Sequence, residues 1–131
     1  MIKDRYVNFE VASLLRDKGF NEPCRGVYEE KVLRINTLCD WFNSDFSEYV
    51  SAPTQTMACD WIEETFNIAI VLDLTILGYE PVFLNGHKDP NIDGNVNQKD
   101  DAPVGDNSDG SWSDKECAYN AALKYVLTNL I

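Results

Sequence analysis

Residues 67–84 read NIAIVLDLTILGYEPVFL. From Ile68 to Ile76 every second residue is a branched apolar side chain: Ile68, Ile70, Leu72, Leu74, Ile76. Successive side chains of a strand point to opposite faces, so this period of two predicts a strand with one apolar face. Ala69 and Val71, on the other face, are also apolar, which fits a central strand covered in part on both sides. Leu77-Gly78 then turns the chain into a partner strand, Tyr79 to Leu84. Its Pro81 has no N–H for a ladder and favours a sheet edge.

Upstream, Pro53–Thr54 open a helix with Thr54 as N-cap. Met57, Ala58, Trp61, Ile62, Thr65 and Phe66 fall on one face of it, and Asp60, Glu63 and Glu64 on the other, the pattern of a surface helix laid on a core. Asn67 ends it. Further back, residues 24–35 (CRGVYEEKVLRI) predict two short strands with a turn near Glu29–Lys31, although that turn has neither Gly nor Asn. The first helix is capped by Asn8, with Glu10 in its first turn and Val11, Ala12, Leu14 and Leu15 as its apolar stripe. Gly19 supplies the left-handed residue after its end, Phe20 the hydrophobic contact, and Pro23 a stop. Between hairpin and second helix, residues 36–50 alternate Trp41, Phe42, Phe46 and Tyr49 with Asp40, Asn43, Asp45 and Glu48. This is an aromatic-anchored loop or a short extra strand; its aromatics either plug the edge of the core or form a binding surface.

Downstream, Ser113-Asp114-Lys115-Glu116 reads as a capping box with Trp112 and Cys117 as its hydrophobic staple. Ala118, Ala121, Ala122, Tyr125, Val126 and Leu130 give the packing face of the last helix. The expected order is α-β-β-α-β-β-α, an α+β fold in which three helices pack on a small, mostly antiparallel sheet. At 131 residues the chain is the size of a single domain, 1–131.

Residues 87–112 (HKDPNIDGNVNQKDDAPVGDNSDGSW) differ in character, and read as an acidic Asp/Asn/Gly-rich loop inserted before the last helix. So long an irregular stretch is usually functional or disordered. Within it, DPNIDGNVNQKD (89–100) resembles the calcium loop of the EF-hand and dockerin families. Asp89, Asn91 and Asp93 stand at its first, third and fifth positions, and Gly94 at the sharp turn. Asn95 offers a carbonyl, Asn97 stands at the ninth position, and Asp100 closes the loop. Ca²⁺ takes six to eight hard oxygens, which alternate residues of a tight turn can aim inward. Pro103, however, interrupts the exit helix that an EF-hand requires. In a second echo of the motif, ending at Asp109-Gly110, Gly105 stands where the first aspartate belongs.

Acids outnumber bases 22 to 11, giving a net charge of −11 and a pI near 4.3. That sign argues against nucleic acid and anionic membranes as direct partners. No apolar run reaches the ~20 residues of a membrane span. The opening MIKDRYVNFE lacks the apolar stretch of a signal peptide, so the expectation is a cytoplasmic protein with reduced thiols. Cys24, Cys39, Cys59 and Cys117 form no C-x-x-C pair, and the single histidine, His87, has no cysteine near it in sequence. No phosphate loop, dinucleotide fingerprint, H-E-x-x-H or nucleophile elbow occurs, and the expectation is no enzyme.

Several phrases together resemble a group of small proteins encoded by phages and prophages of gut Bacteroidales: KGFNEPC (18–24) with the hairpin after it, NTLCD (36–40), SAPTQ leading to Trp61 (51–61), and AALKYVL (121–127). The resemblance spans most of the chain outside 87–112. It implies provenance and a compact α+β fold, and brings no site residues with it. The function expected is therefore that of a small acidic accessory protein that binds a protein partner, including inhibition of a host system by nucleic-acid mimicry. Two alternatives stand beside it. One is a calcium-binding domain built on 89–100. The other is a small-nucleotide-binding protein using Arg5, Arg16, Arg25, Arg34 and helix N-termini.

Overall fold

A computed structural model of the chain describes residues 4–36, 38–45, 47–85 and 103–131. The order is α1 (Phe9–Asp17), β1 (Gly26–Glu29), β2 (Val32–Ile35), β3 (Val50–Ala52), α2 (Gln55–Phe66), β4 (Ile68–Leu74), β5 (Tyr79–Asn85) and α3 (Lys115–Tyr125); a π-helical turn, Val126–Leu130, continues α3. The class is α+β and the paired strands are antiparallel. β3 is an addition to the expected order. The described strands form two sheets, β2-β1-β3 and β4-β5, rather than one. The chain divides into two compact units, Met1–Ala58 and Cys59–Ile131, with the boundary inside α2.

In the first unit, Asn8 caps α1 by accepting from Val11 N–H at 2.9 Å. The helix ends in a Schellman motif: Gly19 N–H donates to Arg16 C=O and Phe20 N–H to Leu15 C=O. Gly19 has φ +95°, which a side chain would strain, and Phe20 folds back to only 1% exposure. Val11, Ala12 and Leu15 are buried as their spacing predicts. The β1–β2 turn is closed by Glu30 and Lys31, at φ +50° and +66°. Two left-handed central residues match the twist of a hairpin, so this chain makes the turn without the Asn-Gly that would make it easily. Lys31 lies over the Phe9 ring, 5.8 Å from its centroid, a cation–π contact that partly offsets the strain. Tyr28 packs edge-on against Phe9, and its buried hydroxyl donates to Val7 C=O at 2.7 Å. Thr54 caps α2 through Met57 N–H, as expected.

In the second unit, β4 pairs with β5 from Ile68↔Asn85 to Leu74↔Tyr79. β4 is thus one strand of a two-stranded ladder, not a central strand. Ile68 and Phe83 are buried, and Phe83 meets Tyr125 of α3 at 5.2 Å between centroids, whereas Val71 and Leu74 are exposed. The cap of α3 falls one residue later than the capping-box reading places it. Asp114 is the N-cap, accepting from Glu116 N–H at 2.8 Å. Ser113 is engaged elsewhere: its N–H and hydroxyl both donate to the Asp106 carboxylate. Cys117 is exposed and so closes no staple. Ala118 and Ala122 are fully buried, the close approach that small side chains permit.

Candidate binding site

β1 and β2 present two faces. Tyr28, with Val50 and Ala52 across the ladder, is on the buried side that holds Phe9 and Val7. On the opposite face, Val27 pairs with Arg34 and Glu29 with Val32. That face is covered by the chain between β2 and β3, and only in part. What stays open is a hollow of about 400 Å³ lined by Val27, Glu29, Arg34, Ile35, Asn36, Leu38, Trp41 and Tyr49.

The walls are firmly placed. Trp41 and Cys24 exchange backbone hydrogen bonds of 2.6 and 2.8 Å, an isolated antiparallel bridge that fixes the Trp41 end. Trp41 and Tyr49 meet edge-to-face with centroids 6.2 Å apart. Asn43 donates to Phe20 C=O at 2.7 Å and accepts from Ser51 N–H at 2.8 Å, and Asn21 accepts from Ser44 N–H. Asn36 accepts from Leu38 N–H, an Asx turn that holds Leu38 out at 92% exposure. Arg34 bonds Glu29 at 2.8 Å and Arg25 bonds Asp40 at 3.2 Å. Both pairs are well exposed, and such pairs contribute at most about 1 kcal/mol; of the two, Arg34–Glu29 lines the hollow and pairs its charges. Beside the hollow, β2 is the terminal strand of its sheet and leaves Val32 and Ile35 more than half exposed. Trp41 and Tyr49 therefore line a surface hollow over Val27 and leave the edge of β2 unpaired. An edge strand next to an apolar, aromatic hollow is the arrangement that takes up an extended peptide.

The second unit carries a hydrogen-bonded clasp, residues 105–113, so the last part of the acidic stretch belongs to the fold. Asp109 accepts from the N–H and hydroxyl of Ser111, and Asn107 donates to Leu77 C=O and to Ser111 Oγ. Trp112 pairs with Tyr79 as an isolated bridge. Gly78 lies so close to the Trp112 carbonyl that a side chain there would collide with it. The hydrogen bonds from Ser113 hold the Asp106 carboxyl below the usual carboxylate range, and those from Ser111 do the same for Asp109.

Asp89, Asn91, Asp93, Asn95, Asn97 and Asp100, the candidate calcium ligands, lie outside the described residues, as does His87. Among the described residues no group of three or more His, Cys, Asp or Glu side chains is placed to hold a metal ion. Of the four arginines, Arg25 and Arg34 are each engaged by a carboxylate, while Arg5 and Arg16 are exposed. The four cysteines are free thiols. Burial pushes Cys24 and Cys59 up to about 12, with Asp40 and Asp60 adding to the respective effects. Both are thus protonated and poor nucleophiles at neutral pH. Among the described residues no helix is long and apolar enough to cross a membrane. Comparison with protein-family models, with curated proteins and with solved structures returns no match.

Sequence reasoning named Trp41 and Tyr49 but missed Leu38 and the role of β2. A signal was present: Val32-Leu33-Arg34-Ile35 has apolar side chains on both faces, whereas a strand with one wet face alternates.

Proposed function

We propose that this chain is a small acidic accessory protein, of phage or prophage type, that acts by binding a protein partner and performs no catalysis. The observation that carries the reading is the preformed hollow beside the open edge of β2. A partner segment adding to that edge gains main-chain hydrogen bonds along Val32–Ile35 and lodges a large apolar side chain among Val27, Leu38, Trp41 and Tyr49. The paired charges of Arg34 and Glu29 in its lining leave shape and apolar contact to choose the ligand.

Panning a displayed random-peptide library against the immobilised full chain tests this. The expected binders share a large apolar residue in an extended segment, and lose at least about tenfold in affinity, roughly 1.4 kcal/mol, to Leu38→Asp. Leu38 is almost fully exposed, so this variant should melt like the parent. Binders indifferent to both Leu38→Asp and Ile35→Lys would remove the reading.

A second reading is a calcium-stabilised domain, supported by the ligand pattern of Asp89, Asn91, Asp93, Asn95, Asn97 and Asp100. Its test is the melting temperature and tryptophan fluorescence in calcium against chelator. No change at millimolar calcium would end it.

A further inference from the structure

The β4–β5 hairpin ends in an apolar tip held out into solvent. Leu74 is 78% exposed, Leu77 49%, and Ile76 fully exposed. Single exposed apolar side chains are ordinary, but three within four residues of a turn are not, since turns favour Gly, Asn, Asp and Ser.

The tip is also firmly built. Thr75 N–H donates to Gly78 C=O at 2.6 Å, and Leu77 and Gly78 N–H donate to Thr75 Oγ1 at 3.2 and 3.0 Å. Asn107 donates to Leu77 C=O at 2.9 Å, and Gly78 is packed on the Trp112 backbone. One register step behind the tip, Asp73 and Glu80 stand directly opposite each other, both exposed. Like charges at that position destabilise a hairpin. The clasp that holds the tip adds Asp106 and Asp109, whereas the basic residues described in this unit, Lys115 and Lys124, are both on α3.

From this we infer that the β4–β5 tip is a docking knob for a protein partner that offers an apolar cleft rimmed with Lys and Arg side chains. Charge complementarity selects that partner: Ile76 and Leu77 enter the cleft, and the rim meets the Asp73–Glu80 collar. The collar steers and orients the encounter. The prebuilt turn removes most of the ordering cost of binding. The knob shares no residue with the hollow of the first unit, so it stands or falls separately from the proposed function.

The test uses the full chain, labelled with ¹⁵N, titrated with a leucine–lysine helical-hairpin peptide whose two helices enclose an apolar groove rimmed with lysine. Saturable shifts should map to residues 71–80 and 106–112. Ile76→Ser should weaken binding about tenfold and move only the amide signals beside it in sequence, because its side chain is fully exposed. Asp73→Lys with Glu80→Lys should weaken binding to a similar extent. Raising NaCl from about 50 to about 500 mM should weaken binding steeply as the collar is screened, and a leucine–glutamate peptide should not bind. Shifts that map elsewhere, or that survive Ile76→Ser, would overturn the inference. Two further results would also do so: tip-dependent binding to phosphatidylcholine vesicles, which would make the ligand a lipid surface, and self-association lost in Ile76→Ser, which would make it a second copy.

Discussion

The unit ending at Ala58 holds seven of the eleven basic side chains and nine of the 22 acidic ones, a net charge of −2; the unit from Cys59 holds four and thirteen, a net charge of −9. All four arginines are in the first. Both units set helix against antiparallel strands, and both display apolar surface, in different electrostatic settings. In the first the surface is a hollow whose lining charges, Arg34 and Glu29, are paired with each other. In the second it is a knob with a carboxylate collar. The net charge of −11 therefore describes neither unit. A charge summed over the chain speaks to solubility and long-range steering, while recognition depends on where the charges sit relative to apolar surface. The units also differ in how they are held. Among the described residues of the first, buried apolar side chains run from Val7 to Ala58, whereas the β4–β5 ladder is half-covered and relies on α3 and the 105–113 clasp.

The largest expected effects test whether each unit has a core of its own. Phe20→Ala and Phe83→Ala each remove an aromatic ring that is 1% exposed, and each should cost about 3–5 kcal/mol in a urea titration. A loss below about 1 kcal/mol at either position would mean that the corresponding core is not packed as described. The clasp should set an acid limit on the second unit. Asp106 and Asp109 have carboxyls lowered on folding, so their contribution is present above the unfolded carboxylate range, near 3.8, and is lost as pH falls through their folded values. Near-ultraviolet signals of Trp112 should change in that window. In Asp106→Asn with Asp109→Asn that acid-dependent step should disappear. At the alkaline end the buried thiols act in the opposite sense. Cys24 and Cys59 rise from 9.0 to about 12 on folding, so the stability they contribute is full below pH 9 and lost as pH rises toward 12.

Smaller effects sharpen the contrast between the two hairpins. Glu30→Asn with Lys31→Gly places the preferred pair at two left-handed positions and should stabilise the first unit by about 1 kcal/mol. No gain would mean that the Lys31–Phe9 contact already balances the strain. Glu80→Lys turns the repulsive Asp73–Glu80 pair into an attractive one and should add about 0.2–1 kcal/mol. The same change should weaken the knob's grip on the leucine–lysine peptide, separating stability from binding.

Helix ends were legible where a single residue type answers a local demand. Asn8, Gly19 and Thr54 each do in space what their positions predict, because a cap involves only three or four neighbours in sequence. The cap of α3 was misread for the complementary reason. Ser113 and Asp114 are both good caps, and the choice was made by Asp106, which lies seven residues away and engages Ser113. β4 looked central because both its faces are apolar; part of that apolar character is displayed at Val71 and Leu74 instead of being covered by further strands. The hollow was half legible: aromatics at Trp41 and Tyr49 could be flagged, but the partners that complete it come from β1 and β2.

From the sequence alone come the α+β class, the three helices, the two hairpins and the acidic balance, since periodicity, capping and turn chemistry act over a few residues and are written into local order. Only the tertiary structure decided that the strands divide into two sheets, that Ser113 faces Asp106, that Leu38 and Ile76 stand in solvent, and that the hollow forms at all. Those outcomes depend on contacts between residues distant along the chain, which compete for the same hydrogen bonds and the same apolar cover, and no local pattern records which competitor prevails.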